Sequence, residues 1–181
     1  MTVRGFVIRG LFSVWLTRGP ENLLAMLNTI PGVELEIEDH GTWPASFGHV
    51  GSITERARSY KLNGYRVALI GHSFGATAAI NVNNRLAMMD IGVDLLCPID
   101  PAAQYSTQIV DTGCRVLGFF QREPMNLGQG VDHPGQGWTA TEWKERVAQY
   151  QRHESHIAIV NDPWVHNKIR AAVADLAKSP Q

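Results

Sequence analysis

The stretch that most constrains the fold is RVALIGHSFGAT, residues 66–77. Val67 to Ile70 is unbroken apolar sequence with no polar alternation, the pattern of a strand covered on both faces in the middle of a parallel sheet. The run passes at once into Gly71-His72-Ser73-Phe74-Gly75. Beyond the pentad, Ala76, Ala78, Ala79, Ile80, Val82 and Leu86 recur at helical spacing, which predicts a helix from Phe74 to about Met89. A chain that leaves a buried strand and enters a helix within five residues must turn sharply, and side chains at positions 71 and 75 would block that turn. Ser73 then stands at the carboxyl end of a strand, where open α/β sheets bind their ligands.

The flanking sequence has the same alternation of elements. Gly5 to Gly10 reads as a short buried strand, followed by an apolar loop containing Leu11, Phe12, Val14, Trp15 and Leu16. Pro20 suits a first helical turn, Leu23, Leu24, Leu27 and Ile30 share a face, and Pro31-Gly32 ends that helix. VELEIED, residues 33–39, alternates strictly and predicts a half-exposed strand near a sheet edge. Ser52 with Glu55 has the capping-box spacing, predicting a helix from there to about Leu62, stopped by Asn63-Gly64. Val93 to Ile99 and Arg115 to Gln121 read as further strands, with Pro98 allowing pairing on one side only at its position. Residues 122–140 read as a long loop, and residues 141–151 fit helix and strand equally. Asp162 as N-cap, with Pro163 after it, opens a final helix whose face is Val165, Ile169, Ala172, Val173 and Leu176. The expectation is one α/β domain over residues 1–181, with a mostly parallel central sheet and helices on both faces.

Composition narrows the function classes. The 181 residues are 44% hydrophobic and 18% charged, with a net charge of −1. That is a globular balance with no basic surplus for nucleic acid or an anionic membrane surface. Arg4 and Arg9 interrupt the apolar start, so it reads as a core strand and its loop rather than a signal peptide or a membrane insertion. Cys97 and Cys114 are too few for a disulfide framework, and Cys97 within LLCPI reads as a buried free thiol. A reducing, cytoplasmic location is expected. HESH at 153–156 is not the H-E-x-x-H metal motif, and no third ligand accompanies it, so neither metal nor other cofactor is expected.

A serine hydroxyl is a weak nucleophile until it is exposed, aimed and given a base. The turn would supply the first two, and would set the Phe74 backbone N–H at a helix start, where the dipole favours a developing oxyanion. With its strand before and helix after, VALIGHSFGATAA at 67–79 resembles the nucleophile turn of the α/β-hydrolase family. The likeness in element order extends over nearly the whole chain and is greatest to small, capless, lipase- or esterase-like members. It implies that the chain opens at what is an inner strand of larger members.

The resemblance implies the order Ser, Asp or Glu, His. Asp100, in IDPA at the end of the next strand, is the expected acid, with Asp132 as its competitor and a purely local, backbone-bonded carboxylate as the structural alternative. His156, opening HIAIVNDPWVHNKI before the last helix, is the expected base, with His153 as fallback; His133, in the long loop, comes too early for that order if Asp132 is the acid, and His166 lies within the last helix. The oxyanion donors would be the N–H groups of Phe74 and of Leu11 or Phe12. Arg9-Gly10 stands where the family often carries His-Gly. Phe12 and His72 are candidate pocket residues. The implied activity is a serine hydrolase of carboxylic esters or thioesters, acting on a small-molecule acyl substrate. Acyl transfer through the same residues, or a binding protein that has kept the fold without the chemistry, are the alternatives. The sequence sets neither the natural substrate nor the oligomeric state.

Overall fold

The computed structural model describes residues 2–10, 16–39, 46–102, 107–110, 113–121, 130–131 and 139–179. Six strands are present among the described residues: β1 (Val3–Arg9), β2 (Val33–Asp39), β3 (Arg66–His72), β4 (Leu95–Ile99), β5 (Arg115–Gln121) and β6 (Val147–Arg152). They form one sheet in the order β2-β1-β3-β4-β5-β6. All five pairings are parallel. Five helices accompany them among the described residues: α1 (Gly19–Leu27), α2 (Ser46–Leu62), α3 (Phe74–Ala87), α4 (Ala140–Arg146) and α5 (Pro163–Lys178).

Strand alternation divides the apolar side chains between two cores. Val3, Val7, Ala68, Ile70, Leu95 and Cys97 point to one face, where Leu23 and Leu27 of α1 and Val165, Ile169 and Val173 of α5 cover them. Phe6, Ile8, Val67, Leu69, Leu96 and Val116 point to the other, beneath Ile53 and Ala57 of α2 and Ala79, Ile80 and Leu86 of α3. β3 lies in the middle of this arrangement, and every residue from Val67 to His72 is buried. β2 is an edge strand whose outward Glu36 and Glu38 pair with Arg56 of α2, a charged cover of the kind that blunts sheet edges. Both cysteines are buried, and neither is in a disulfide. Burial pushes the Cys97 thiol pKa up, which keeps it an inert packing group.

Three local expectations need amendment. α2 begins at Ser46, so Ser52 lies inside the helix and does not cap it. Val50, Ile53 and Ala57 carry the buried stripe back beyond the predicted start, and packing outweighs the capping pattern. Residues 140–152 form both structures the sequence allowed. Thr139 caps α4 in a full capping box with Glu142, and Val147 then turns straight into β6, alongside β5. α3 ends at Ala87, slightly short of the expected Met89. Pro98 pairs in register with Gly71 of β3, while the β4–β5 pairing runs through Leu95, Leu96 and Ile99 and skips Pro98, which has no N–H to give.

The sheet order reverses direction after β1, because β2 lies on one side of it and β3 on the other. The carboxyl ends of β1 and β3 therefore flank a topological switch point, the usual crevice for a ligand in such sheets.

Candidate active site

Ser73 follows β3 at this crevice with φ 57 and ψ −123, a backbone conformation that side-chain-bearing residues rarely adopt. The surroundings hold it there. Its N–H donates to the Ile99 carbonyl at 2.9 Å, and its own carbonyl accepts from Ala76 and Thr77 at 3.0 and 3.2 Å as α3 begins. Two close approaches require glycine. A Cβ on Gly71 would sit 2.2 Å from the Gly75 carbonyl oxygen, and one on Gly75 would sit 2.2 Å from that of Ile8. The pentad is thus pressed against both its own helix and β1.

The next strand delivers a carboxylate to the same rim. Asp100 immediately follows β4 with φ 47 and is completely buried. Its N–H donates to Phe119 at 2.7 Å, and its Oδ1 accepts the Gln121 N–H at 3.1 Å. The other oxygen, Oδ2, lies 2.7 Å from Nδ1 of His156. One oxygen thus meets the backbone and the other meets the imidazole.

His156 lies between β6 and α5, with its side chain 15% exposed. Its Nε2 is 2.8 Å from Ser73 Oγ. A carboxylate can only accept, so Nδ1 carries the hydrogen toward Asp100 and Nε2 is left to accept the serine hydroxyl proton. The segment bearing His156 is tied down at several points. Asn161 Nδ2 donates to Thr17 Oγ1 at 2.6 Å and to the Ile157 carbonyl at 3.1 Å, and His166 Nε2 donates to the Val160 carbonyl at 2.7 Å. Burial lowers the His166 pKa, so this side chain serves as a neutral brace on the loop.

The other expected site residues take several positions. His153 is exposed, with its N–H on Glu154. Phe74 is the first residue of α3. His72 is only 5% exposed, with Nε2 2.8 Å from the His156 carbonyl, so it packs behind the His156 backbone. Leu11, Phe12, Asp132 and His133 lie outside the described residues. Arg9 is held by Glu21 at 2.7 Å and Asp39 at 3.1 Å.

Two contributions escaped sequence reasoning. The Gln121 donor is a backbone group that any residue could supply, so it leaves no sequence signal. Gln149 of β6 brackets the Val131 peptide, accepting its N–H at 2.8 Å and donating to its carbonyl at 2.6 Å, which pins that point of the chain to the sheet edge. Ile157, which follows His156 in the chain, is 42% exposed, and Leu16, which precedes the Thr17 that Asn161 holds, is 56% exposed. No helix among the described residues is long and apolar enough to cross a membrane.

No protein-family model and no curated protein matches the sequence. Solved structures do match the fold. The NocB thioesterase domain from the nocardicin cluster aligns with TM-score 0.61 and 14% identity over 96% of this chain and 94% of that one. A Xanthomonas campestris pv. campestris protein of the alpha/beta hydrolase superfamily aligns with TM-score 0.58 and 15% identity over 99% and 100%. A serine hydrolase without a lid from Xanthomonas campestris aligns with TM-score 0.53 and 13% identity over 96% and 79%. The chain is similar to each across nearly its whole length, and it has the α/β-hydrolase fold.

Proposed function

We propose that this α/β-hydrolase-fold chain is a serine hydrolase that cleaves carboxylic esters or thioesters of small molecules through an acyl-enzyme. One observation carries the reading: the unbroken line from Ser73 Oγ to His156 Nε2 at 2.8 Å, and from His156 Nδ1 to Asp100 Oδ2 at 2.7 Å. Ser73 Oγ attacks the acyl carbonyl as its proton passes to His156 Nε2. The imidazolium so formed faces the buried Asp100 carboxylate, which offsets its charge and holds the required tautomer. The Phe74 N–H, at the start of α3, is a donor to the oxyanion, with the helix dipole behind it. His156 then gives its proton to the leaving alcohol or thiol and takes one from water, whose oxygen attacks the acyl carbon; the proton returns to the departing Ser73 Oγ as the acid is released.

The thioesterase and serine hydrolase among the structural neighbours favour acyl chemistry on this fold, while the residues that would perform it are this chain's own. The reading is tested with a fluorophosphonate probe and p-nitrophenyl esters. The expected result is labelling at Ser73, mapped by peptide mass, with turnover in the native protein and neither in Ser73→Ala. A folded native protein that reacts with no serine-directed probe, or one labelled at another residue, would overturn it.

A further inference from the structure

His72 is the last residue of β3 and immediately precedes the serine. Its ring is buried, and it lies 4.9 Å from the His156 ring, centroid to centroid, tilted by 34°. Nε2 meets the His156 carbonyl oxygen at 2.8 Å. A carbonyl can only accept, so the hydrogen of the neutral ring is fixed on Nε2. That leaves Nδ1 bare. It is buried and has no hydrogen-bond partner among the described residues. It faces Gly10: a Cβ built there would lie 3.4 Å from Nδ1 and 2.9 Å from Ser73 Cβ. A second proton on the ring would sit in this dry contact beside the His156 ring. Burial, with the neighbouring imidazole adding to it against the opposing backbone bond, lowers the His72 pKa to about 3.

We propose that His72 is a positioning residue, whose Nε2–H anchors the His156 backbone so that one imidazole keeps its contacts to Ser73 and Asp100 together. The inference rests on the serine-hydrolase reading above. β3 lies inside the sheet between β1 and β4, and its last residue, His72, immediately precedes the serine. The brace therefore fixes the base relative to the nucleophile through one peptide unit and one hydrogen bond, although the two residues are far apart in the chain. Because the ring stays neutral, the charge that His156 acquires during proton transfer meets no like charge beside it.

The test compares fluorophosphonate labelling rates and ester kinetics of the native protein, His72→Phe and His72→Gln, each with its thermal unfolding curve. Phenylalanine fills the space without a donor, while the glutamine amide can reach the place of Nε2–H and cannot titrate. A shift of about 1 Å in the base can lower the rate by ~100-fold. The expected result is a fall of that order for His72→Phe, in kcat with KM nearly unchanged, and recovery of at least ~10-fold by His72→Gln. Long-range 15N–1H NMR on the native protein should find His72 as the Nε2–H tautomer. Labelling of His72→Phe within about threefold of native, equal losses in the two variants, or an Nδ1–H tautomer would each overturn the inference while leaving Ser73 as nucleophile. A native protein unlabelled at Ser73 would remove the hydrolase reading itself.

Discussion

Replacing His72 by glutamine should remove a specific share of the acid sensitivity of folding. The His72 pKa is about 3 in the folded protein, against an ordinary value of 6.5. Below 6.5 the unfolded chain binds a proton that the folded chain refuses, so the native state loses stability as pH falls, from 6.5 down toward 3. Each pH unit within that window is worth ~1.4 kcal/mol. At pH 5, which is about 1.5 units into it, the loss is ~2 kcal/mol, and at pH 7 it is nearly zero. The pH 5 figure depends little on where the folded pKa lies, provided it is well below 5. His156 is the titratable group facing the His72 ring, and it stays in place in both proteins, as does His166, whose lowered pKa acts in the same direction. The difference between the two proteins therefore isolates His72. Urea unfolding at pH 7 and pH 5 should show native stability falling by ~2 kcal/mol more than that of His72→Gln. Equal falls, within ~0.5 kcal/mol, would mean that the ring takes up its proton in the folded state and that the burial argument is wrong.

Asp100→Asn keeps an oxygen able to accept the Gln121 N–H, so the fold should survive while kcat for p-nitrophenyl acetate drops by ~10,000-fold; a loss under tenfold would mean that the acid lies elsewhere, with Asp132 next to examine. Gly75→Ala places a methyl 2.2 Å from the Ile8 carbonyl oxygen and 2.5 Å from that of Arg9. It should cost ~1–3 kcal/mol in urea unfolding and slow probe labelling, because α3 must move away from β1 and take Ser73 with it; unchanged stability would contradict the close contact.

The strand–turn–helix around Ser73 was legible because it depends on neighbours in the chain: unbroken apolar residues, two glycines at fixed offsets, then helical periodicity. The final helix was legible for the same reason, since Asp162 accepts the Trp164 N–H at 2.8 Å and Pro163 follows it. Where two local patterns competed, sequence reasoning stalled or erred. Ser52 and Glu55 have capping-box spacing, yet the buried stripe through Val50 and Ile53 extends α2 back to Ser46. Residues 140–152 suit either structure, and β5 settles the matter by offering its edge to Val147–Arg152. Asp100 was legible as a strand-end carboxylate, but the division of work between its two oxygens was not.

The sequence by itself determined the class of fold and where the strand–turn–helix bearing Ser73 lies, because both follow from interactions within a few residues. The tertiary structure decided the company that serine keeps. Parallel pairing sets the ends of β3 and β4 side by side, and the β6–α5 segment returns to the same rim, so that residues 73, 100 and 156 meet within hydrogen-bond distance. It also gave His72 a place behind the base that its position in the pentad does not reveal. Hydrogen bonds and burial depend on separation in space, and the local pattern of residues does not specify that separation.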